Sequence, residues 1–110
     1  MIPDLYIPTY TVNDWKIWEG EWELIKGTPV AMSPSPFNKH QLMSGDIHTY
    51  FNNVVRQNKP SCNCRVLFEQ DWIIDESNVV RPDISIVCGD LDPEGHITRP
   101  PFLIVEIFSK

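Results

Sequence analysis

Two acidic residues stand in otherwise apolar segments, and they are the residues of this chain best suited to chemistry. Asp83 directly follows Pro82 and precedes the run ISIVC, and Glu106 interrupts the run LIVEIF. Asp and Pro are both poor strand formers, and proline cannot donate to a sheet ladder. A carboxylate that faces a dry core loses several kcal/mol unless it is paired or bound to a metal. Both acids are therefore expected to have a partner or a function.

The positions of the two acids along their strands decide whether they can act together. Side chains alternate along a strand, so Asp83 shares a face with Ser85, and Glu106 shares a face with Ile104. If these two faces coincide in adjacent strands, two hard oxygen ligands converge at one edge of the sheet. Such a pair suits Mg²⁺, which takes one or two carboxylates and completes its coordination with water and substrate phosphate.

A purely structural interpretation of the same acids stays open at this point. In that interpretation Asp83 only closes a turn, and Glu106 forms an ion pair with Arg81 or Arg99.

Proline and glycine divide the chain into the elements that must position these acids. An alternating run predicts a hairpin over residues 22–32, and three-and-four spacing predicts a long helix within residues 33–60. Three apolar segments follow, over residues 64–75, 79–88 and 101–109. The short link between the first two of these segments favours an antiparallel hairpin. Helix and strands together predict an α/β fold.

The predicted helix has one apolar stripe. Its members are Met43, Ile47, Tyr50, Phe51, Val54 and Val55. Ser35 or Asn38 is a candidate N-cap. Gly45 lies inside the helix and costs it about 1 kcal/mol of propensity, which suggests that Gly45 permits close packing against a neighbour.

The last predicted strand, over residues 101–109, is almost continuously apolar, as is typical of a strand covered on both faces. No further helix follows it in the sequence. We therefore expect a partner to cover it, either the rest of a longer domain or a second copy in a homo-oligomer.

Composition and charge exclude several classes of protein. The net charge of −6 and only nine Lys and Arg residues argue against a surface that coats nucleic acid generally. No stretch is long and apolar enough to span a membrane, and no secretory signal is recognised at the N-terminus. Three cysteines in an irregular arrangement predict free thiols and a cytoplasmic location. Residues 1–110 are expected to form a single domain.

Three segments in this order resemble the Uma2 family of the PD-(D/E)XK restriction-endonuclease-like superfamily. They are EWELIKGTPVAMSPSPFNKHQ, VVRPDISIVC and PPFLIVEIFSK, and the similarity spans roughly residues 9–110. The resemblance implies a restriction-endonuclease-like core, a mixed sheet with one long helix packed on it. It also implies that a C-terminal helix and strand are missing from this chain.

The resemblance also implies an activity, the hydrolysis of nucleic-acid phosphodiester bonds with Mg²⁺ or Mn²⁺. Asp83 and Glu106 match the family's two acids and would hold the ion. Glu23 matches a hairpin glutamate that would reach the ion or orient water, or is a solvated charge on the hairpin. His40 matches a histidine at the helix start, where it would cap the helix, contact phosphate or be an ordinary polar residue.

One departure from the superfamily pattern supports a different function. Phe108 stands where the name motif has a lysine, two residues after Glu106, and Lys110 is given no catalytic role. The alternative to a nuclease is therefore a non-catalytic interaction module that retains the nuclease fold.

Overall fold

The computed structural model describes residues 8–33, 37–59 and 61–108. In chain order the elements are α1 (Val12–Trp15), β1 (Trp22–Ile25), β2 (Thr28–Ala31), α2 (Asn38–Gln57), β3 (Cys64–Phe68), β4 (Trp72–Asp75), β5 (Asn78–Val80), β6 (Ile84–Cys88) and β7 (Leu103–Val105). The predicted α/β class with one long helix is confirmed. The described strands form two antiparallel sheets, with orders β2-β1-β5-β4 and β3-β6-β7, where the sequence predicts one mixed sheet.

The predicted hairpin is confirmed as β1 and β2. Its two-residue turn is Lys26–Gly27, and both residues have positive φ angles, of 50° and 78°. This combination matches the tight hairpin turn whose twist suits the flanking strands. A Cβ atom on Gly27 would lie 2.9 Å from the Cβ atom of Thr9, so space as well as backbone conformation favours glycine there.

Both long apolar segments divide into two strands that belong to different sheets. Residues 64–75 form β3 and β4, and residues 79–88 form β5 and β6. The second break falls at residues 81–83, where the fully buried Pro82 leads the chain from one sheet into the other. Proline has no N–H group, so a break in the ladder at Pro82 leaves no donor unpaired there. The proline that looked misplaced in a strand marks the end of one strand and the start of the next.

Strand β6 is the centre of the three-stranded sheet, and α2 packs beside it. Ile84 and Ile86 of β6 join Val55 of α2 in one buried apolar cluster, together with Cys64 and Val66 of β3. The outer strand β7 is different, because Leu103 and Ile104 are 38% and 42% exposed. Of the strand predicted over residues 101–109, Leu103–Val105 is confirmed, at the edge of the sheet, and within the described residues its apolar side chains are only partly covered.

The buried face of α2 is narrower and more polar than the predicted stripe. Val55 is buried, and Ile47 and Phe51 pack against the core. Met43, Tyr50 and Val54 are exposed instead. The helix buries His40 and Ser44, which lie on the same face one turn apart.

Two details of α2 also differ from the predictions. Phe37 is the N-cap and makes no side-chain cap bond, whereas Asn38 is the first helical residue and Ser35 lies outside the described residues. Gly45 has no heavy atom within 4 Å of a Cβ built on it, so it does not serve close packing.

The expectation of three free thiols is wrong for two of the cysteines. Cys64 and Cys88 face each other in the register of β3 and β6 and form a disulfide, whereas Cys62 is free. Spacing in the sequence hid this pairing, because the two cysteines lie 24 residues apart and meet only through the sheet.

Candidate functional site

The structure brings Asp83 and Glu106 together at the open ends of β6 and β7. Ser85 pairs with Ile104, so the faces on which the two acids lie coincide, a condition that side-chain alternation alone left open. The last paired residues are Ile84 and Val105, and Asp83 and Glu106 are the next residues of the same register. Residues directly opposite each other in an antiparallel pair are close neighbours.

The ionisation of Glu106 reflects this proximity. Its pKa is raised above the ordinary value, first by partial burial and then by the negative charges of Asp83 and Glu23. Nearby negative charges disfavour the ionised form of a carboxyl group, which is why Asp83 and Glu23 add to the rise in the pKa of Glu106.

Both oxygens of Asp83 are held by partners on different elements. The Nε2 atom of the buried His40 on α2 lies 3.2 Å from Oδ1. The backbone N–H of Ile107, just beyond β7, donates to Oδ2 over 2.7 Å. Each carboxylate oxygen keeps a further lone pair, because a carboxylate offers about four acceptor sites. Asp83 is therefore oriented by the protein and remains able to bind another group.

Glu23 reaches this region from the other sheet. Leu24 of β1 pairs with Val79 of β5, and this pairing brings Glu23 close to the chain as it leaves β5. The Oε2 atom of Glu23 accepts a hydrogen bond of 2.8 Å from the backbone N–H of Arg81. Glu23 is thus a half-buried, oriented carboxylate, and the interpretation of it as a solvated charge on the hairpin is wrong.

The arginines that were candidates to pair with Glu106 are engaged elsewhere. The guanidinium of Arg81 donates two hydrogen bonds to Asp71, at 2.9 and 3.0 Å, and forms an ion pair with Glu21. The bonds to Asp71 are the main cause of a pKa for Arg81 above its ordinary value. Arg99 donates to the backbone carbonyls of Cys88 and Asp90. The structural interpretation, in which an arginine neutralises Glu106, is therefore not supported.

Residues 14–110 match the profile of the Uma2 family, described as "Putative restriction endonuclease". The chain belongs to the Uma2 family. The match covers the hairpin, the long helix and all three segments that resembled this family in the sequence.

A solved structure shows the same fold. It is the crystal structure of a "putative nuclease belonging to DUF820" from Anabaena variabilis ATCC 29413, with a TM-score of 0.71 and 22% sequence identity. The match covers 90% of the Uma2 chain described here and 58% of the Anabaena chain. Among curated proteins, none is significantly similar to this chain. None of the described helices is long and apolar enough to cross a membrane.

The side chains of this Uma2 protein can be compared with the needs of a divalent ion. Within the described ranges, no group of three or more His, Cys, Asp or Glu side chains lies close enough to hold a metal. The donors that fit are the two carboxylates of Asp83 and Glu106, with Glu23 nearby but outside a three-ligand group. Two carboxylates suffice for Mg²⁺, which commonly keeps several waters and binds substrate phosphate. The mutual repulsion of these carboxylates is what a cation would relieve.

The position of the superfamily lysine carries no cation in this chain. Phe108 occupies it, two residues after Glu106, and its side chain is 92% exposed. An aromatic ring in that position can pack against another surface but cannot stabilise charge on a phosphate as an ammonium group does.

The sequence left the role of His40 open, and the structure places its side chain in a buried position against Asp83. It does not cap the helix, and its side chain is only 5% exposed. The signal in the sequence was the spacing of His40, Ser44, Ile47, Phe51 and Val55, which is helical and continuous once polar residues are allowed in the stripe. A search for apolar residues alone omits its first two members.

Proposed function

We propose that this Uma2 protein is a Mg²⁺-dependent nuclease that hydrolyses phosphodiester bonds of nucleic acid at Asp83 and Glu106. The observation that carries the proposal is the register that sets Glu106 opposite Asp83, where the pKa of Glu106 is raised and neither Arg81 nor Arg99 pairs with it. Perturbed carboxyl groups that converge at one place are more frequent at functional sites than elsewhere. Mn²⁺, which favours the same oxygen ligands, would substitute for Mg²⁺.

Each of the three acids has a distinct part in the proposed reaction. Asp83, fixed by His40 and Ile107, presents its remaining lone pairs to the cation. Glu106 would bind the cation through its carboxylate, because the positive charge would offset the neighbouring negative charges that raise its pKa. One oxygen of Glu23 accepts a hydrogen bond from the N–H of Arg81, and its other oxygen can accept a hydrogen bond from the attacking water and so orient it. When bound, Mg²⁺ supplies a water of lowered pKa and neutralises phosphate charge.

The charge of the chain supports a substrate contact that depends on the ion. The net charge is −6, so the protein as a whole repels a phosphate backbone. Nucleic acid is then expected to bind at the cation and only weakly elsewhere. The proposal includes a cytoplasmic location, in which the Cys64–Cys88 disulfide of the structure would be open to reduction by thiol-reducing systems.

The second candidate function is a non-catalytic interaction module. The exposed Phe108 in the lysine position favours it, as does the partly uncovered β7 next to it. An apolar strand at a sheet edge with an exposed aromatic residue is a surface suited to another protein chain. In this alternative the acids remain but no bond is cleaved.

Binding and cleavage measurements separate the two candidates. Mn²⁺ affinity would be measured by calorimetry for the unaltered chain and for the double variant Asp83→Asn, Glu106→Gln, which keeps the side-chain shapes. The nuclease proposal predicts that the double variant loses ion binding, and that DNA or RNA is cleaved only with Mg²⁺ or Mn²⁺. Ion binding that is unchanged in the double variant would refute the proposed site. Ion binding without cleavage of any nucleic acid would favour the module.

A further inference from the structure

The buried end of α2 carries polar groups that packing alone does not explain. His40 and Ser44 are each 5% exposed, although both side chains are polar. Burying a polar group costs free energy unless it is hydrogen-bonded. Only one polar atom of these two side chains, Nε2 of His40, has a partner in the described part of the structure, and that partner is Asp83.

The contact with Asp83 determines which ring nitrogen carries the proton in the neutral imidazole. Nε2 lies 3.2 Å from a carboxylate oxygen, so it must be the donor, because a carboxylate can only accept. Nδ1 is then an acceptor that needs a donor. Within the described residues Nδ1 of His40 and the hydroxyl oxygen of Ser44 are both buried without a partner.

The two unpartnered atoms are complementary and lie on one face of the same helix. Residues four apart are neighbours on a helix surface, with Cβ atoms about 5–6 Å apart. A serine hydroxyl rotates freely and can donate one hydrogen bond. The two atoms are not hydrogen-bonded as they stand, so Ser44 would supply the donor that Nδ1 of His40 requires either directly, after a change of its χ1 rotamer, or through one water molecule.

We propose that Ser44, His40 and Asp83 form a hydrogen-bonded chain that positions the carboxylate of Asp83. Ser44 holds His40 in the tautomer with the proton on Nε2, and Nε2–H then fixes Oδ1 of Asp83. The backbone N–H of Ile107 fixes the other oxygen, so the carboxylate is held from α2 and from the β7 side at once. His40 and Ser44 are positioning residues and contact neither ion nor substrate. The role of these hydrogen bonds in positioning a metal ligand rests on the proposed function.

The tautomer can be tested without any metal ion. Long-range ¹H–¹⁵N spectra of the metal-free protein, recorded at about pH 8.5 where ordinary imidazoles are neutral, should show His40 protonated on Nε2. Ser44→Ala should shift the His40 signals toward the Nδ1–H tautomer. Thr49→Ala, which removes an exposed hydroxyl from the same helix, should leave them unchanged. A His40 that is protonated on Nδ1 in the unaltered chain would overturn the proposal, and so would a Ser44→Ala spectrum identical to that of the unaltered chain.

The effect of His40 on Asp83 is tested by measuring the Mn²⁺ affinity of two His40 variants that keep the fold. His40→Gln keeps an N–H donor near the place of Nε2, whereas His40→Phe keeps the ring shape and removes the donor. We expect His40→Phe to weaken Mn²⁺ binding by about 10–100-fold, as is usual when a group that orients a ligand is lost, and His40→Gln to restore most of it. Equal affinity in His40→Phe and the unaltered chain would overturn the positioning role. If the unaltered chain binds no Mn²⁺ but the tautomer result holds, the proposed nuclease function fails and the hydrogen-bonded chain is supported.

Discussion

Asp83 and Glu106 occupy facing positions one residue beyond the last paired residues of β6 and β7. The ladder between β6 and β7 ends there, so the N–H of Ile107 is not taken up by strand pairing, whereas the backbone carbonyl of Asp83 still accepts a hydrogen bond from Glu69 on the other side of β6. The N–H of Ile107 donates to the side chain of Asp83 rather than to a strand. The N–H group of Ile107 at the end of the ladder thus orients Asp83, and Glu106 lies next to Asp83.

The pH dependence of stability should reveal the raised pKa of Glu106. Its folded pKa lies above the ordinary value of 4.5, so the folded chain holds this proton more tightly than the unfolded chain. Its contribution to stability is therefore full below the ordinary pKa and is lost as pH rises through the folded pKa. In urea unfolding with EDTA, Glu106→Gln should gain stability over the unaltered chain as pH rises through this window. Glu94→Gln, in an exposed loop, serves as the control, and a gain for Glu106→Gln that does not depend on pH would contradict the expectation.

Gly45→Ala should stabilise the protein. No heavy atom lies within 4 Å of a Cβ placed on Gly45, so the methyl group meets open space. Helix propensity then favours alanine by about 1 kcal/mol. Thermal unfolding would show a higher midpoint for Gly45→Ala. Gly27→Ala is the contrasting variant, because its positive φ angle and its closeness to Thr9 predict destabilisation.

Oxidation of the Cys64–Cys88 pair should stabilise the chain by about 3.5 kcal/mol, the loop-closure estimate for a crosslink of this span. The crosslink closes a loop between residues 24 positions apart in sequence. Guanidinium unfolding with and without dithiothreitol would measure the difference. The double variant Cys64→Ser, Cys88→Ser should lose the response to dithiothreitol, whereas Cys62→Ser should keep it. If the stability of the double variant still changes with dithiothreitol, that change has a cause other than the Cys64–Cys88 disulfide.

The ion pair of Arg81 with Asp71 should contribute more to stability than the pair with Glu21. Asp71 is buried and accepts two hydrogen bonds, whereas the side chain of Glu21 is 63% exposed. Removing one partner of a charged, mostly buried pair costs about 2–3 kcal/mol. Exposed pairs contribute about 0–1 kcal/mol. Denaturant unfolding of Asp71→Asn and Glu21→Gln compares them directly, and equal losses would contradict the ranking.

Strand β7 should promote self-association, as the predicted homo-oligomer requires. Ile104 is 42% exposed on an edge strand, and such edges accept a further strand from another chain. Light scattering at high protein concentration should show oligomers that Ile104→Lys disrupts. Ile17→Lys, which alters an apolar side chain of 81% exposure outside the sheets, should not disrupt them. A chain that is monomeric at every concentration would exclude self-association through β7.

The features that were predictable from the sequence depend on local periodicity and on types of residue. Alternation along each strand placed Asp83 on the face of Ser85 and Glu106 on the face of Ile104, because that rule needs only neighbouring residues, whereas the coincidence of the two faces came from the register of β6 and β7. The division of residues 79–88 between two sheets was not predictable from the same pattern. An apolar run looks alike whether it belongs to one strand or two, and only tertiary contacts decide its partners.

The polar groups of the site were harder to predict for a related reason. His40 is buried because Asp83, distant in the sequence, provides its partner. Cys64 and Cys88 likewise meet through the register of β3 and β6. In each case the sequence contains both partners, but only the fold specifies that they pair.

The link between the two sheets at Pro82 affects how the protein would lose function as it is destabilised. Glu23 belongs to the four-stranded sheet, whereas Asp83 and Glu106 extend the three-stranded sheet, and the segment 81–83 links the two. The candidate site therefore lies between the two sheets. A small movement of one sheet relative to the other would alter the spacing of the acids while each sheet kept its own hydrogen bonds. Function at this site should be lost under milder conditions than secondary structure, so circular dichroism would be a poor measure of whether the protein is intact.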